Sequence, residues 1–317
     1  MSNPIFPPRI EAADPHLLLW QNRLYLYATQ AGKTERGFSV WSSDDAQNWK
    51  NEGMALCLAN VSWAEKDDWG PAIIEKNGRF FLYFCADSQI GVAVADSPVG
   101  PFIQPKNAPL VPFRDDNSAI DPCAFTDRYG QSYLYFGAVP AFWLSPEETE
   151  INTALSVRPL APDMVSFCGD EIPTIEYEPF SGIKNQFGQG KGHSLDHIEA
   201  SFAFERDGIY YLMWSRGNHG SADLEHAYRV RYATAPSPLG PWTIAPQPVL
   251  QSRPEIGCIG PGHHALVQLS GDRWLCAYHA HDGDGFRRVW LDWMHFGPKG
   301  EILPIIPTRE GVGKVNI

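Results

Sequence analysis

Ala13-Asp14-Pro15-His16-Leu17-Leu18-Leu19-Trp20, followed by a polar turn and Leu24-Tyr25-Leu26-Tyr27, is the stretch whose reading decides the fold. It returns four more times. The second copy is Trp69-Gly70-Pro71-Ala72-Ile73-Ile74, a turn at Asn77-Gly78, then Phe80-Phe81-Leu82-Tyr83. The third is Ile120-Asp121-Pro122-Cys123-Ala124-Phe125 and, past Gly130, Tyr133-Leu134-Tyr135. The fourth is Ile198-Glu199-Ala200-Ser201-Phe202, Asp207-Gly208, then Tyr210-Tyr211-Leu212. The fifth is Gly262-His263-His264-Ala265-Leu266, Gly271-Asp272, then Trp274-Leu275-Cys276. Each unit reads as strand, turn, strand.

Asp14 to Tyr25, Gly70 to Phe81, Glu199 to Tyr210 and His263 to Trp274 are each 11 positions apart. Asp121 to Tyr133 is 12, because Asp127-Arg128-Tyr129-Gly130 lengthens the turn. On this register Asp14, Gly70, Asp121, Glu199 and His263 hold one place in five repeats. Such a unit recurring at roughly 50 to 80 residues marks a propeller. The expected fold is all-β: one five-bladed propeller over residues 1–317, with four antiparallel strands per blade round a central channel and repeats starting near 13, 69, 120, 198 and 262. Ser156 to Met164 is expected to supply the outer strands of the third blade, and Glu171 to Asp196 a long loop leading into Glu199. Loops of that length are usually functional or disordered, and the lead of this one into Glu199 places it near the site.

Composition narrows the function. A formal charge of -12 argues against a nucleic-acid partner, whose phosphates need Lys and Arg. The six cysteines fall in no CxxC pair, which argues against a zinc cluster. Met1 to Arg9 has no basic region leading into an apolar core, and no membrane span is visible. A soluble, reduced, cytoplasmic protein is the expectation.

An acid at the start of an innermost strand has an ordinary explanation, since Asp-Pro opens turns. Turn capping does not require one register in three blades, however. Two Asp and one Glu round one axis form a cluster of mutually perturbing carboxylates, the pattern of functional sites. Three acids about a pocket suit glycoside hydrolysis. One carboxylate activates water, one carboxyl protonates the leaving oxygen, and a third charge tunes the donor. Trp41, Trp69, Phe142, Trp143 and Trp214 are candidate platforms for sugar rings, each with ordinary core packing as its alternative. His263 can hydrogen-bond substrate or, through waters, touch a Ca²⁺ in the channel; no cofactor is required. Arg287 can hold a carboxylate or sugar hydroxyls.

Taken together, Ala13-Asp14-Pro15, Trp69-Gly70-Pro71, Ile120-Asp121-Pro122, Ile198-Glu199-Ala200, Gly260-Pro261-Gly262-His263-His264 and Arg287 resemble glycoside hydrolase family 43, a family of five-bladed propeller hydrolases. Val40-Trp41-Ser42-Ser43 and Ser237-Pro238-Leu239-Gly240-Pro241-Trp242 match as well. The resemblance implies an inverting exo-glycosidase on oligosaccharides, an α-L-arabinofuranosidase or β-xylosidase acting on xylan or arabinan fragments. It implies Asp14 as general base, Glu199 as general acid, Asp121 as the residue that tunes and orients Glu199, His263 as the channel histidine and Arg287 as a substrate contact. Two places depart from the pattern: Trp-Gly-Pro stands for the frequent Trp-Ala-Pro, and Glu-Ala-Ser for Glu-Gly-Pro. No C-terminal β-sandwich is expected at this length. The alternatives are a propeller glycosidase on a galactoside or anhydrosugar, and a non-catalytic propeller that binds carbohydrate.

Overall fold

The chain folds as five antiparallel sheets, each a simple meander. The structure, a computed structural model, describes residues 2–30, 35–113, 117–140, 154–175, 197–218, 221, 223–281 and 285–317. Blade I is β1 (Ala13–Trp20), β2 (Arg23–Thr29), β3 (Gly37–Ser43) and β4 (Lys50–Cys57). Blade II is β5 (Trp69–Lys76), β6 (Arg79–Ala86) and β7 (Gln89–Ala95). Blade III is β8 (Asn117–Thr126), β9 (Ser132–Pro140), β10 (Ala154–Leu160) and β11 (Ile172–Ile175). Blade IV is β12 (His197–Arg206), β13 (Ile209–Gly217), β14 (Arg229–Ala235) and β15 (Thr243–Ile244). Blade V is β16 (Ile259–Leu269), β17 (Arg273–His281) and β18 (Arg287–Met294). The first strands pack side by side in a ring: β1 by β5, β5 by β8, β8 by β12, β12 by β16, and β16 back to β1. This is the expected five-bladed propeller.

The inner hairpins turn where the sequence says they should. Gln21-Asn22, Asn77-Gly78 and Asp207-Gly208 all have positive φ at both residues, the two-residue turn whose twist matches paired strands. The core lies between blades. One apolar layer joins blades V and I, another I and II, another II and III, and the largest spans III to V. Fully buried tyrosines at equivalent places on the second strands tie blades I, II and III each to the next. Tyr27 donates to the carbonyl of Pro98, Tyr83 to that of Met164 at 2.6 Å, and Tyr135 to that of Pro238 at 2.5 Å.

Two expectations need correction. Blades II and V have three named strands rather than four. After β7 the chain meets Pro98, Pro101, Pro105, Pro109 and Pro112. Proline has no amide to give a ladder, so the outer edge is reduced to the bridges Val94–Ile103 and Ile90–Val111. In blade III the fourth strand is Ile172–Ile175, inside the stretch expected to be loop. The remainder of that stretch, 176–196, lies outside the described residues.

Blade V is sealed by the chain's beginning. The amides of Ile5 and Ala12 bond to the carbonyls of Val289 and Arg287. Buried Asn3 does more: its Oδ1 accepts the Leu291 amide at 2.8 Å, and its Nδ2 donates to Leu291 O, Thr308 O and the Asp292 carboxylate at 2.8 to 3.0 Å. Phe6 packs against Trp41 with ring centroids 4.9 Å apart and planes tilted by 42°, which joins this strap to blade I. Asn3→Ala leaves the Leu291 amide and one side of Asp292 buried without their partner. We expect a loss of about 2 to 3 kcal/mol, read as a lower urea midpoint. An unchanged midpoint would mean that the strap does not seal the ring.

Candidate active site

The site grows from one irregularity that every blade repeats. Each first strand breaks its ladder at the same point: between Ala13 and His16, Trp69 and Ala72, Ile120 and Cys123, Glu199 and Phe202, and Gly262 and Ala265. The first bulged residue is left-handed in all five, with φ of 52° at Asp14, 53° at Gly70, 52° at Asp121, 56° at Ala200 and 44° at His263. Four of these are not glycine, and such backbone costs about 1 to 3 kcal/mol apiece, a form of strain that collects at functional sites.

This register corrects the sequence-derived one. Asp14, Gly70, Asp121 and His263 are equivalent, as expected, but their fourth partner is Ala200. Glu199 sits one residue earlier, at the place of Trp69. Trp69 is open to solvent at 42% exposure, and Glu199 is half-buried.

The left-handed turn swings the bulge amide toward the preceding blade, where a side chain takes it. Gly70 N donates to Thr29 Oγ1 of blade I at 2.9 Å. His263 N donates to Ser215 Oγ of blade IV at 2.8 Å, and Asp14 N lies 3.1 Å from His279 Nδ1 of blade V. Thr29, Ser215 and His279 occupy one place on the second strands; in blade III that place is Gly137. With no side chain there, the Ala200 amide goes instead to Asp121 Oδ2, at 3.1 Å. Asp121 thereby fixes the backbone directly after Glu199.

The carboxylates meet around His263. Its Nδ1 is 3.1 Å from Asp14 Oδ1 and 3.7 Å from Asp121 Oδ2. Arg287 Nη1 is 3.1 Å and His279 Nδ1 3.0 Å from the same Asp14 Oδ1. His279 Nδ1 serves Asp14 in either tautomer, as acceptor for the amide or donor to the carboxylate. Gly70 closes the floor: a Cβ there would stand 2.8 Å from Asp121 Oδ1, so the departure from Trp-Ala-Pro makes room for this carboxylate. On the other side Glu199 Oε1 accepts the Tyr228 hydroxyl at 2.8 Å.

Charge is distributed unevenly. Burial would raise the Asp14 carboxyl, but the Arg287 guanidinium, the His263 charge and the hydrogen bonds of His263 and His279 outweigh it and hold it well below the usual range. Asp14 is ionised. Burial raises Asp121 to about 7; His263 opposes this, and the charges of Glu199 and Asp14 reinforce it. Burial disfavours a charged His263, yet Asp121 and Asp14 raise it to about 9. At neutral pH His263 is therefore an imidazolium between two carboxylates. A protonated Nδ1 offers no lone pair to a metal, and its charge repels one. Among the described residues no three His, Cys, Asp or Glu side chains gather to hold an ion. The side chains present do not fit a Ca²⁺ bound directly through Nδ1 of His263.

Of the expected sugar platforms among the described residues, only Trp69 is open. Trp41 and Trp214 are each 2% exposed and belong to the interblade core, so neither has a ring face to offer. Phe142 and Trp143 lie outside the described residues. Sequence reasoning missed His279, Ser215 and Tyr228. The first two stand 15 or 16 residues after the bulge residue, as Thr29 does, so carrying the repeat into the second strand would have found them. Tyr228 precedes β14 outside the repeat and gave no signal. In Asp121→Asn the largest charge favouring the His263 imidazolium is gone. Its NMR titration midpoint should fall below the wild-type value; an unmoved midpoint would refute the arrangement.

Comparison with known proteins points the same way. The model of glycosyl hydrolases family 43 matches residues 1–301. A curated relative, the β-D-galactofuranosidase xynD of Aspergillus niger, is 30% identical over 98% of this chain and 86% of its own. A xylosidase/arabinosidase of Bacteroides ovatus is 28% identical, with 88% of each chain covered. Among solved structures, a thermostable family-43 glycoside hydrolase matches with a TM-score of 0.80 and 29% identity, over 99% of this chain and 98% of that one. A match of this extent to the family model settles the affiliation: the chain belongs to glycosyl hydrolases family 43, enzymes that cleave O-glycosyl bonds.

Proposed function

We propose that the protein is an inverting exo-glycosidase that releases pentose units from oligosaccharides, with α-L-arabinofuranosides and β-D-xylosides as its substrates. The observation that carries this reading is the opposed state of its acids: Asp14 is held ionised by Arg287 and His263, while Asp121 is raised to about 7. Relatives named xylosidase/arabinosidase support the sugar class. A second reading, a hexofuranoside such as a β-D-galactofuranoside, draws on the galactofuranosidase relative.

In this mechanism Asp14 takes a proton from water as the water attacks the anomeric carbon. Among the described residues its close polar contacts fall on Oδ1, which assigns Oδ2 to the water. Glu199, half-buried, protonates the departing oxygen. Asp121 holds the Ala200 amide and so aims Glu199. Trp69 offers a sugar ring its exposed face. Attack from the face opposite the leaving group inverts the anomeric centre.

Nitrophenyl α-L-arabinofuranoside, β-D-xyloside and β-D-galactofuranoside test the substrate, with proton NMR of the first-formed sugar. Turnover of the pentosides with an inverted anomer is expected. Binding without turnover, or product of the starting configuration, would end the reading. Glu199→Ala should lose about 10²- to 10⁴-fold on natural oligosaccharides, whose leaving group needs a proton, and much less on a dinitrophenyl glycoside. Asp14→Ala removes the base that both substrates need and should be poor on both. Equal losses from the two variants on the two substrates would overturn the assignment.

A further inference from the structure

Tyr228 touches both halves of this machinery from outside the repeat. It is buried, and its ring lies parallel to that of His279 at 5.7 Å, with 6° between planes. His279 is the side chain that grips Asp14. The Tyr228 hydroxyl donates to Glu199 Oε1 at 2.8 Å and is itself hydrogen-bonded to Ser215. Ser215 Oγ in turn accepts the His263 amide. A relay thus runs from the His263 backbone through Ser215 and Tyr228 to Glu199. The place of the ring is reserved: a Cβ on Gly262 would stand 2.2 Å from the ring and 2.9 Å from Ser215 Oγ. Blade V carries glycine there, where the equivalent residues are Ala13, Trp69, Ile120 and Glu199.

We propose that Tyr228 is a positioning residue that braces the acid against the base: its hydroxyl fixes the carboxyl of Glu199 while its ring, through His279, fixes Asp14. This rests on the roles given above to Glu199 and Asp14. Proximity explains why a brace helps. Water and leaving oxygen must be served in one transition state, and small misplacements of either group cost large factors in rate. Burial, with the charges of Glu199 and Asp121, keeps the phenol neutral and therefore a donor.

The two contacts separate by substitution. Tyr228→Phe keeps the ring on His279 and removes only the hydroxyl. It should lower kcat about 10- to 100-fold on natural oligosaccharides, with KM nearly unchanged, and leave a dinitrophenyl glycoside within a few-fold of wild type. Tyr228→Leu removes the ring as well and should add a loss common to both substrates. Ser215→Ala, which breaks the relay one step back, should show a weaker form of the Phe pattern. Circular dichroism and a thermal melt accompany each variant, and Glu199→Ala runs in parallel. If Glu199→Ala keeps its leaving-group dependence while Tyr228→Phe shows none, or loses equally on both substrates, the brace is refuted alone. If Glu199→Ala itself shows no such dependence, the acid assignment fails and the brace falls with it.

Discussion

The hydrogen bond from a left-handed bulge amide to the preceding blade is the constraint on which the rest depends. It does two jobs with one backbone irregularity. It stitches three of the first strands to the preceding blade, with Thr29, Ser215 and His279 as acceptors, and it sets the bulge residues at the same height in successive blades. Each buried amide left without such a partner would cost about 1 to 3 kcal/mol, so the acceptors are as necessary as the bulges. Blade III shows the device turned to another use. Gly137 offers no acceptor, and the Asp121 carboxylate supplies it.

Electrostatics completes what the backbone begins. Three carboxylates in one pocket would repel one another. Here two cations divide them unequally. Arg287 and His263 both lie against Asp14, while among the described residues Asp121 has only the more distant side of His263. The result is two equivalent aspartates, set on identical backbone, with opposite proton preferences. Their difference comes from neighbours in other blades rather than from their own strands.

Much of this was legible in the sequence. Five apolar runs with a fixed spacing carried the ring, and Asp14, Asp121 and His263 stood out because the bulge preserves sequence register. Glu199 was identified but misplaced. Tyr210 and Tyr211 are both aromatic, so a spacing of 11 fits Glu199 and Ala200 equally, and only the hydrogen-bond register separates them. Trp41 and Trp214 could not be told from Trp69, because a tryptophan reads alike in a core and at a rim; pairing decides which face is covered. The fourth strand of blade II failed for a chemical reason, since its proline-rich segment bonds to the sheet edge only at isolated bridges, and the outer edge of blade V is taken by the strap from Asn3 to Ala12. Tyr228 was invisible, because its role arises from the gap at Gly262 in a different blade.

The strap that seals blade V has a consequence for how the protein comes into being. Asn3 leaves the ribosome 288 residues ahead of its partner Leu291. Until then blade I has no neighbour on one side, and the apolar layer shared by Phe6, Trp41 and β18 has nothing to cover it. Closure of the ring is therefore the most non-local event in folding, and contacts of long sequence separation form slowly. Asp14, Arg287 and His279 come together only at that closure. The pocket round Asp14 is thus assembled last, by the same step that ends the exposure of the blade edges.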